Sequence, residues 1–158
     1  MPTVSSADHL LCREQVIPRP IDEVFAFFAD VRNLEAITPP WLRFRILTPS
    51  APVIRAGARI RYVIRWRAVP IWWTTEIAEW RPPFIFVDTQ VRGPYRLWHH
   101  THRFEPAGSG TRMTDEVRYA LPFGPLGRAL HALWIRRDLE QIFDYRRERI
   151  PKLLGVTG

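Results

Sequence analysis

The sequence predicts an α+β fold in which a curved antiparallel sheet of about seven strands wraps around a long C-terminal helix, with two short helices after the first strand. Three observations carry this reading. Proline-bounded runs of helical period are confined to the start of the chain, an alternating pattern punctuated by Gly and Pro fills its middle, and the helical period returns after Pro122 and Gly124. The 158 residues suffice for one domain, residues 1–158 with a core at about 9–154, large enough to enclose a cavity.

Residues 9–17, HLLCREQVI, form an apolar-mixed run stopped by Pro18, which reads as the first strand. Pro20 stands where a helix start tolerates proline, Asp22 and Glu23 favour the first turn, and Val24, Phe25, Phe27 and Phe28 supply an apolar face. Asp30 can cap a second short helix through Leu34 and Ile37, which Pro39-Pro40 must end because proline lacks the helical donor.

From Trp41 the period becomes alternating. Residues 41–47 read as a strand, and 49–57 as a turn-rich connection. In 58–67, ARIRYVIRWR, Ile60, Tyr62, Ile64 and Trp66 share one face and arginines dominate the other, the pattern of a half-wet strand. The runs IWWTTEIAEW, FIFVDTQV, YRLWHHTHRF and TRMTDEVRYAL follow, each set off by Pro or Gly, so the sheet is expected to be an antiparallel meander. Leu126, Leu130, Leu133, Leu139, Ile142, Phe143, Ile150 and Leu153 then recur at helical spacing up to Gly155, giving one long amphipathic helix.

Composition narrows the function classes. A hydrophobic fraction of 46% with 13% aromatics excludes a disordered chain, and no apolar run approaches the ~18 residues of a membrane span. The start of the chain lacks the basic and apolar segments of a secretory signal, and Cys12 has no second cysteine to bridge, so a soluble, cytoplasmic protein is expected. The net charge of +7 raises nucleic acid or an anionic membrane as partners. All but one of the basic residues are arginines, however, and they are interspersed along the strands and the last helix, which reads as solvated faces and not as a specific nucleic-acid interface. Homodimerisation through an edge strand or helix is compatible with this order, though no residue pattern demands it.

The stretches PRPIDEVFAFFADVRNLEAITPPWL, FVDTQVRGPYRLWHHTHRF and TRMTDEVRYALPFGPLG, in this order, resemble the START-like, or SRPBCC, superfamily of helix-grip proteins, which includes polyketide cyclase/dehydratase-like proteins and plant pollen-allergen-like carriers. The resemblance spans residues 9–154. It implies a cavity between sheet and long helix that binds a small hydrophobic or amphipathic molecule, with no cofactor; a minority of members catalyse cyclisation or dehydration there. It supplies no catalytic motif to carry over.

The residues themselves mark candidates for that cavity. In RLWHHTHRF, Trp98, His100, His102 and Phe104 share a face, and the two large aromatics make it the inner one. On the next strand Met113, Asp115, Val117 and Tyr119 face inward. A four-residue turn from Pro106 to Ser109 would set His100 opposite Asp115 and His102 opposite Met113. Asp88 and Gln90 share the inner face of the preceding strand with Phe86, and Tyr62 and Trp73 lie on inner faces nearby. Three readings stay open: a satisfied buried His–Asp pair; polar anchors of a ligand pocket formed by Trp98, His100, His102, Asp115, Tyr62, Asp88, Gln90 and Trp73; or a His-x-His-plus-carboxylate metal site, although no metal is assigned. As an acid–base pair, His100 and Asp115 are the catalytic candidates, suited to proton abstraction or dehydration. Trp66, Trp72, Trp73 and Trp80 either line or fill the cavity.

Overall fold

A computed structural model describes residues 9–48 and 54–156. The first eight residues and part of the predicted 49–57 connection lie outside the described residues. The chain runs β1 (His9–Ile17), α1 (Ile21–Ala29), α2 (Val31–Ala36), a 3₁₀ turn (Pro40–Leu42), β2 (Arg45–Ile46), β3 (Arg59–Trp66), β4 (Val69–Arg81), β5 (Ile85–Arg92), β6 (Leu97–Ala107), β7 (Gly110–Ala120), α3 (Gly124–Leu130), a π-helical turn (His131–Ile135) and α4 (Arg136–Leu153). The seven strands form one antiparallel sheet in the order β1-β7-β6-β5-β4-β3-β2. It is the predicted meander, with β1 closing on β7.

The helices begin and end as the sequence expects. Pro20 precedes α1, Asp30 accepts from the Arg32 backbone N–H at the start of α2, and Gly155 adopts a φ of +74° beyond α4. α3, the π turn and α4 are contiguous and make the long C-terminal helix. It buries Leu139, Phe143 and Ile150 against the concave face of the sheet. At one end of that face, Ile17, Val24, Phe25, Phe86, Phe104 and Met113 pack with Ile150; at the other, Leu11, Val117 and Tyr119 pack with Leu139 and Phe143.

Two expectations are corrected. The strand expected at 41–47 is a 3₁₀ turn followed by only two strand residues. Pro39 and Pro40 preset the backbone for a tight turn, the Leu42 and Arg43 N–H groups bond back to their carbonyls, and Arg43 then takes a left-handed φ of +46° that a strand cannot continue through. In the β6–β7 hairpin the turn is Gly108-Ser109 and not the four residues from Pro106: Ala107 pairs with Gly110. Gly108 reaches a φ of +61° without a Cβ penalty, so two residues suffice to reverse the chain. The ladder therefore slips by two, with His102 opposite Asp115 and His100 opposite Val117. A slip of two leaves every side chain on its predicted face, whereas a slip of one would have everted the strand.

Candidate functional site

Between the sheet and the helices lie two adjoining cavities. The inner one, about 140 Å³, is lined by Phe28, Tyr62, Thr75, Asp88, His100 and His102 among others. The outer one, about 440 Å³, is walled largely by apolar residues including Ile64, Trp73, Tyr95, Leu130, Leu139 and Phe143. Leu34, Tyr62, Trp98 and Arg146 line both and so mark the junction.

The inner cavity ends on a ring of four side chains, with His100, His102 and Asp115 buried and Asp88 half-buried. His100 Nε2 stands 2.8 Å from Asp115 Oδ1, and His102 Nε2 stands 2.6 Å from Asp88 Oδ2. The cross contacts are His102 Nδ1 to Asp115 Oδ1 at 3.1 Å and His100 Nδ1 to Asp88 Oδ2 at 3.5 Å. Each imidazole thus spans both carboxylates. The rings lie 3.7 Å apart by centroid, and Phe86 stacks on His102 at 3.9 Å. Three adjacent strands make this possible, because β5 places Asp88 directly across from His100 and β7 places Asp115 across from His102.

Burial would raise both carboxyl groups, but the two histidines outweigh it and hold Asp88 and Asp115 below the usual carboxylate range, with Arg146 also favouring the Asp88 anion. Burial likewise opposes charge on the histidines. For His102 the hydrogen bonds and charges of Asp115 and Asp88 win, raising its pKa above 6.5; for His100 burial and the neighbouring His102 prevail and push it below 6.5. The ring therefore joins two carboxylates whose ionised forms are favoured to one imidazole whose charged form is favoured, His102, and one whose neutral form is favoured, His100. The Arg146 guanidinium stands by to balance the remaining negative charge.

Among the described residues, Asp88, His100 and His102 are the group that could hold a metal ion, with one ligand atom from each lying within 4.8 Å of the others. The arrangement present is a hydrogen-bonded one: the 2.6 Å between His102 Nε2 and Asp88 Oδ2 is shorter than the roughly 3.3 Å that separates two ligand atoms on a tetrahedral zinc.

Residues 17–146 match the family described as polyketide cyclase/dehydrase and lipid transport. The chain belongs to this family. The match bears out the START-like resemblance and spans every residue of the ring as well as Arg146. Solved structures share the fold at low identity. Protein Ms6760 from Mycobacterium smegmatis superposes with a TM-score of 0.71 at 19% identity, over 98% of this chain and 99% of that one. CV1439 from Chromobacterium violaceum gives 0.72 at 14%, over 92% and 96%. TTHA0849 from Thermus thermophilus gives 0.62 at 23%, over 90% and 97%. No curated protein matches the sequence.

In this member of the polyketide cyclase/dehydrase and lipid transport family, Tyr62, Trp73, Asp88, Trp98, His100 and His102 line the cavities as their strand phase predicts. Two predicted contacts do not reach them. Asp115 lies behind the imidazoles, lining a small crevice on the β1 side, and touches the main cavity only through them. Gln90 turns to the Gly93-Pro94 bend: its amide donates to the Tyr95 carbonyl at 2.7 Å and accepts from the Tyr95 N–H at 3.1 Å. Of the four tryptophans weighed as lining or filler, Trp73 and Trp66 line the outer cavity, Trp80 packs beside Phe25, and Trp72 is exposed.

Arg146 is the cavity residue that sequence reasoning passed over. It follows Leu139 and Phe143 and precedes Ile150 at intervals of four, three and four residues, so it stands in the buried stripe of α4. A lone cation in such a stripe was the available signal. Its Nε is buried with no acceptor among the described residues, as is the indole N–H of Trp73. Burial pushes the Tyr62 phenol up, so its hydroxyl, 3.3 Å from Thr75 Oγ1, stays neutral.

Proposed function

We propose that the protein binds a small amphipathic molecule, with its apolar body in the outer cavity and its polar end at the junction of Arg146, Tyr62 and the His100/His102/Asp88 face of the ring. The observation carrying this reading is the polarity gradient of the paired cavities, from largely apolar walls outside to a buried charged ring inside. Such a pocket gains affinity from apolar contact and orientation from a few fixed polar groups. The donors of Arg146 and Trp73 that lack acceptors among the described residues support an oxygen-bearing or anionic end group, since a buried donor without an acceptor is costly. Hydrophobic ligand binding is also the common ground of the family, whose description includes lipid transport.

A second reading rests on His100. A neutral imidazole held through Nε2 by Asp115 keeps the lone pair of Nδ1, the requirement for a general base that removes a proton next to a carbonyl in a cyclase or dehydratase reaction. Under the binding reading, His100→Gln weakens ligand affinity modestly; under the catalytic one, it abolishes turnover while binding survives.

Titration with anilinonaphthalene sulfonate, an amphipathic anion that fluoresces in apolar sites, tests the binding reading. One saturable site per chain is expected, with affinity reduced roughly tenfold by Arg146→Met, which keeps the stem but removes the charge. Absence of a saturable site, or affinity indifferent to Arg146, would overturn it. Native mass spectrometry of the freshly purified protein would then give the mass of any co-purifying molecule.

A further inference from the structure

The segment from Leu121 to Arg137 forms one wall of the outer cavity and also a large apolar surface. Leu121, Pro122, Phe123, Gly127, Leu130 and Ile135 line the cavity. Outward, Phe123 is 75% exposed, Leu126 62%, Leu133 65% and Trp134 43%. Leu126, Ala129 and Leu133 recur at intervals of three and four, which makes an apolar stripe along the exposed side of α3 and the π turn. The surface continues beyond the helix: Trp41 shares a groove with Leu133 and Trp134, and Val69 borders the outer cavity with Phe123; both are 55% exposed. Isolated exposed apolar residues are ordinary, but six large ones on the outer cavity's wall, the adjoining groove and the helix between them are not.

The charge around this surface is mostly positive, although Glu140 pairs with Arg136 at 3.4 Å. No acidic residue occurs between Glu116 and Asp138, while Arg128, Arg136 and Arg137 flank the stripe. Arg65, Arg67 and Arg137 line the adjoining groove. Arg67 lies over the Trp134 ring at 5.9 Å, and the acid of that groove, Asp138, is engaged by the Trp66 indole at 2.7 Å and by Arg67 at 3.4 Å. An apolar stripe with aromatic ends and an arginine border is the pattern of a helix that lies in the plane of a bilayer surface. It differs from a spanning segment, and no helix among the described residues is long and apolar enough to cross a membrane.

We infer that this face docks on an anionic lipid surface, with Phe123, Leu126, Leu133 and Trp134 entering the interface and the arginines meeting the headgroups. The outer cavity, which this segment walls, then lies against the bilayer, so that an amphipathic molecule passes between the two with little exposure to water. The docking itself does not depend on which ligand the cavity takes.

Co-sedimentation with phosphatidylcholine vesicles, with and without phosphatidylglycerol, tests this. Binding is expected to the anionic vesicles only, falling steeply as salt rises from about 50 to about 300 mM. The double variant Leu126→Asp/Leu133→Asp should partition at least roughly tenfold less and still bind anilinonaphthalene sulfonate, which separates loss of docking from loss of the cavity or the fold. Arg136→Gln/Arg137→Gln should flatten the salt dependence. Equal binding to neutral vesicles, no binding to either, or unchanged binding by the Asp variant would overturn the inference. So would a wild-type dimer in sedimentation velocity that the Asp variant dissociates, since the face would then belong to a second copy of the chain.

Discussion

Asp115 lies 2.8 Å from His100 although the two are not opposite one another in the sheet: His100 pairs with Val117, and Asp115 reaches it diagonally while pairing with His102. One carboxylate thereby meets both imidazoles, and Asp88 meets both from the cavity side. The four side chains form one coupled unit, and Arg146 from α4 also favours the Asp88 anion.

Removing one member should therefore cost more than a surface ion pair would. Asp115→Ala removes the carboxylate that faces both buried imidazoles and is expected to lower stability by about 3–5 kcal/mol. Asp115→Asn, which keeps the volume and an acceptor oxygen, should cost less than the alanine variant. Urea denaturation of the two variants beside the wild type measures this, and a loss under about 1 kcal/mol for the alanine variant would show that the ring is not the coupled unit described.

The histidines should make stability depend on pH with a definite sign. The folded pKa of His102 lies above 6.5, so its contribution is complete below pH 6.5 and is lost as pH rises through the folded value. Asp88 and Asp115, held below 3.8, contribute above pH 3.8 and lose their contribution as pH falls through their folded values. His100, lowered from 6.5, favours the folded state less as pH falls below 6.5. Thermal melts across pH should show wild-type stability declining on the alkaline side of about 6.5, a decline that His102→Gln lacks. Parallel profiles for the two proteins would place the titration elsewhere.

Gly127 tests how the cavity wall is set against the sheet. A Cβ at this position would collide with the Pro122 carbonyl oxygen and crowd the Leu121 side chain, so the turn from β7 into α3 depends on the missing methyl group. Gly127→Ala is expected to cost about 1–3 kcal/mol through overpacking, even though Ala favours helix over Gly. Gly108→Ala, where a Cβ would meet no atom of the described residues within 4 Å but φ is +61°, should cost only the backbone strain of its turn, about 1 kcal/mol. Denaturant midpoints distinguish the pair, and a neutral or stabilising Gly127→Ala would refute the steric account.

The periodicity and punctuation of the sequence alone determined the element order, the sheet type and the inward faces of β3, β5, β6 and β7. Side-chain direction follows from backbone geometry, so Tyr62, Asp88, Trp98, His100, His102 and Asp115 could be assigned to the interior without contacts. The local stretch 41–47 resisted because its proline-led turn and left-handed Arg43 resemble a strand in composition alone. What only the tertiary structure decided is which of these groups meet. Register depended on whether Gly108 closes a two-residue turn, and that moved Asp115 from beside one imidazole to behind two. The turn at Gly93-Pro94 drew Gln90 away from the cavity to the Tyr95 backbone. Arg146 lies far along the chain from Asp88, and no local pattern brings a cation of the last helix over a carboxylate of the fifth strand. Contacts between distant segments arise from the curvature of the sheet around the helix, which short-range spacing does not encode.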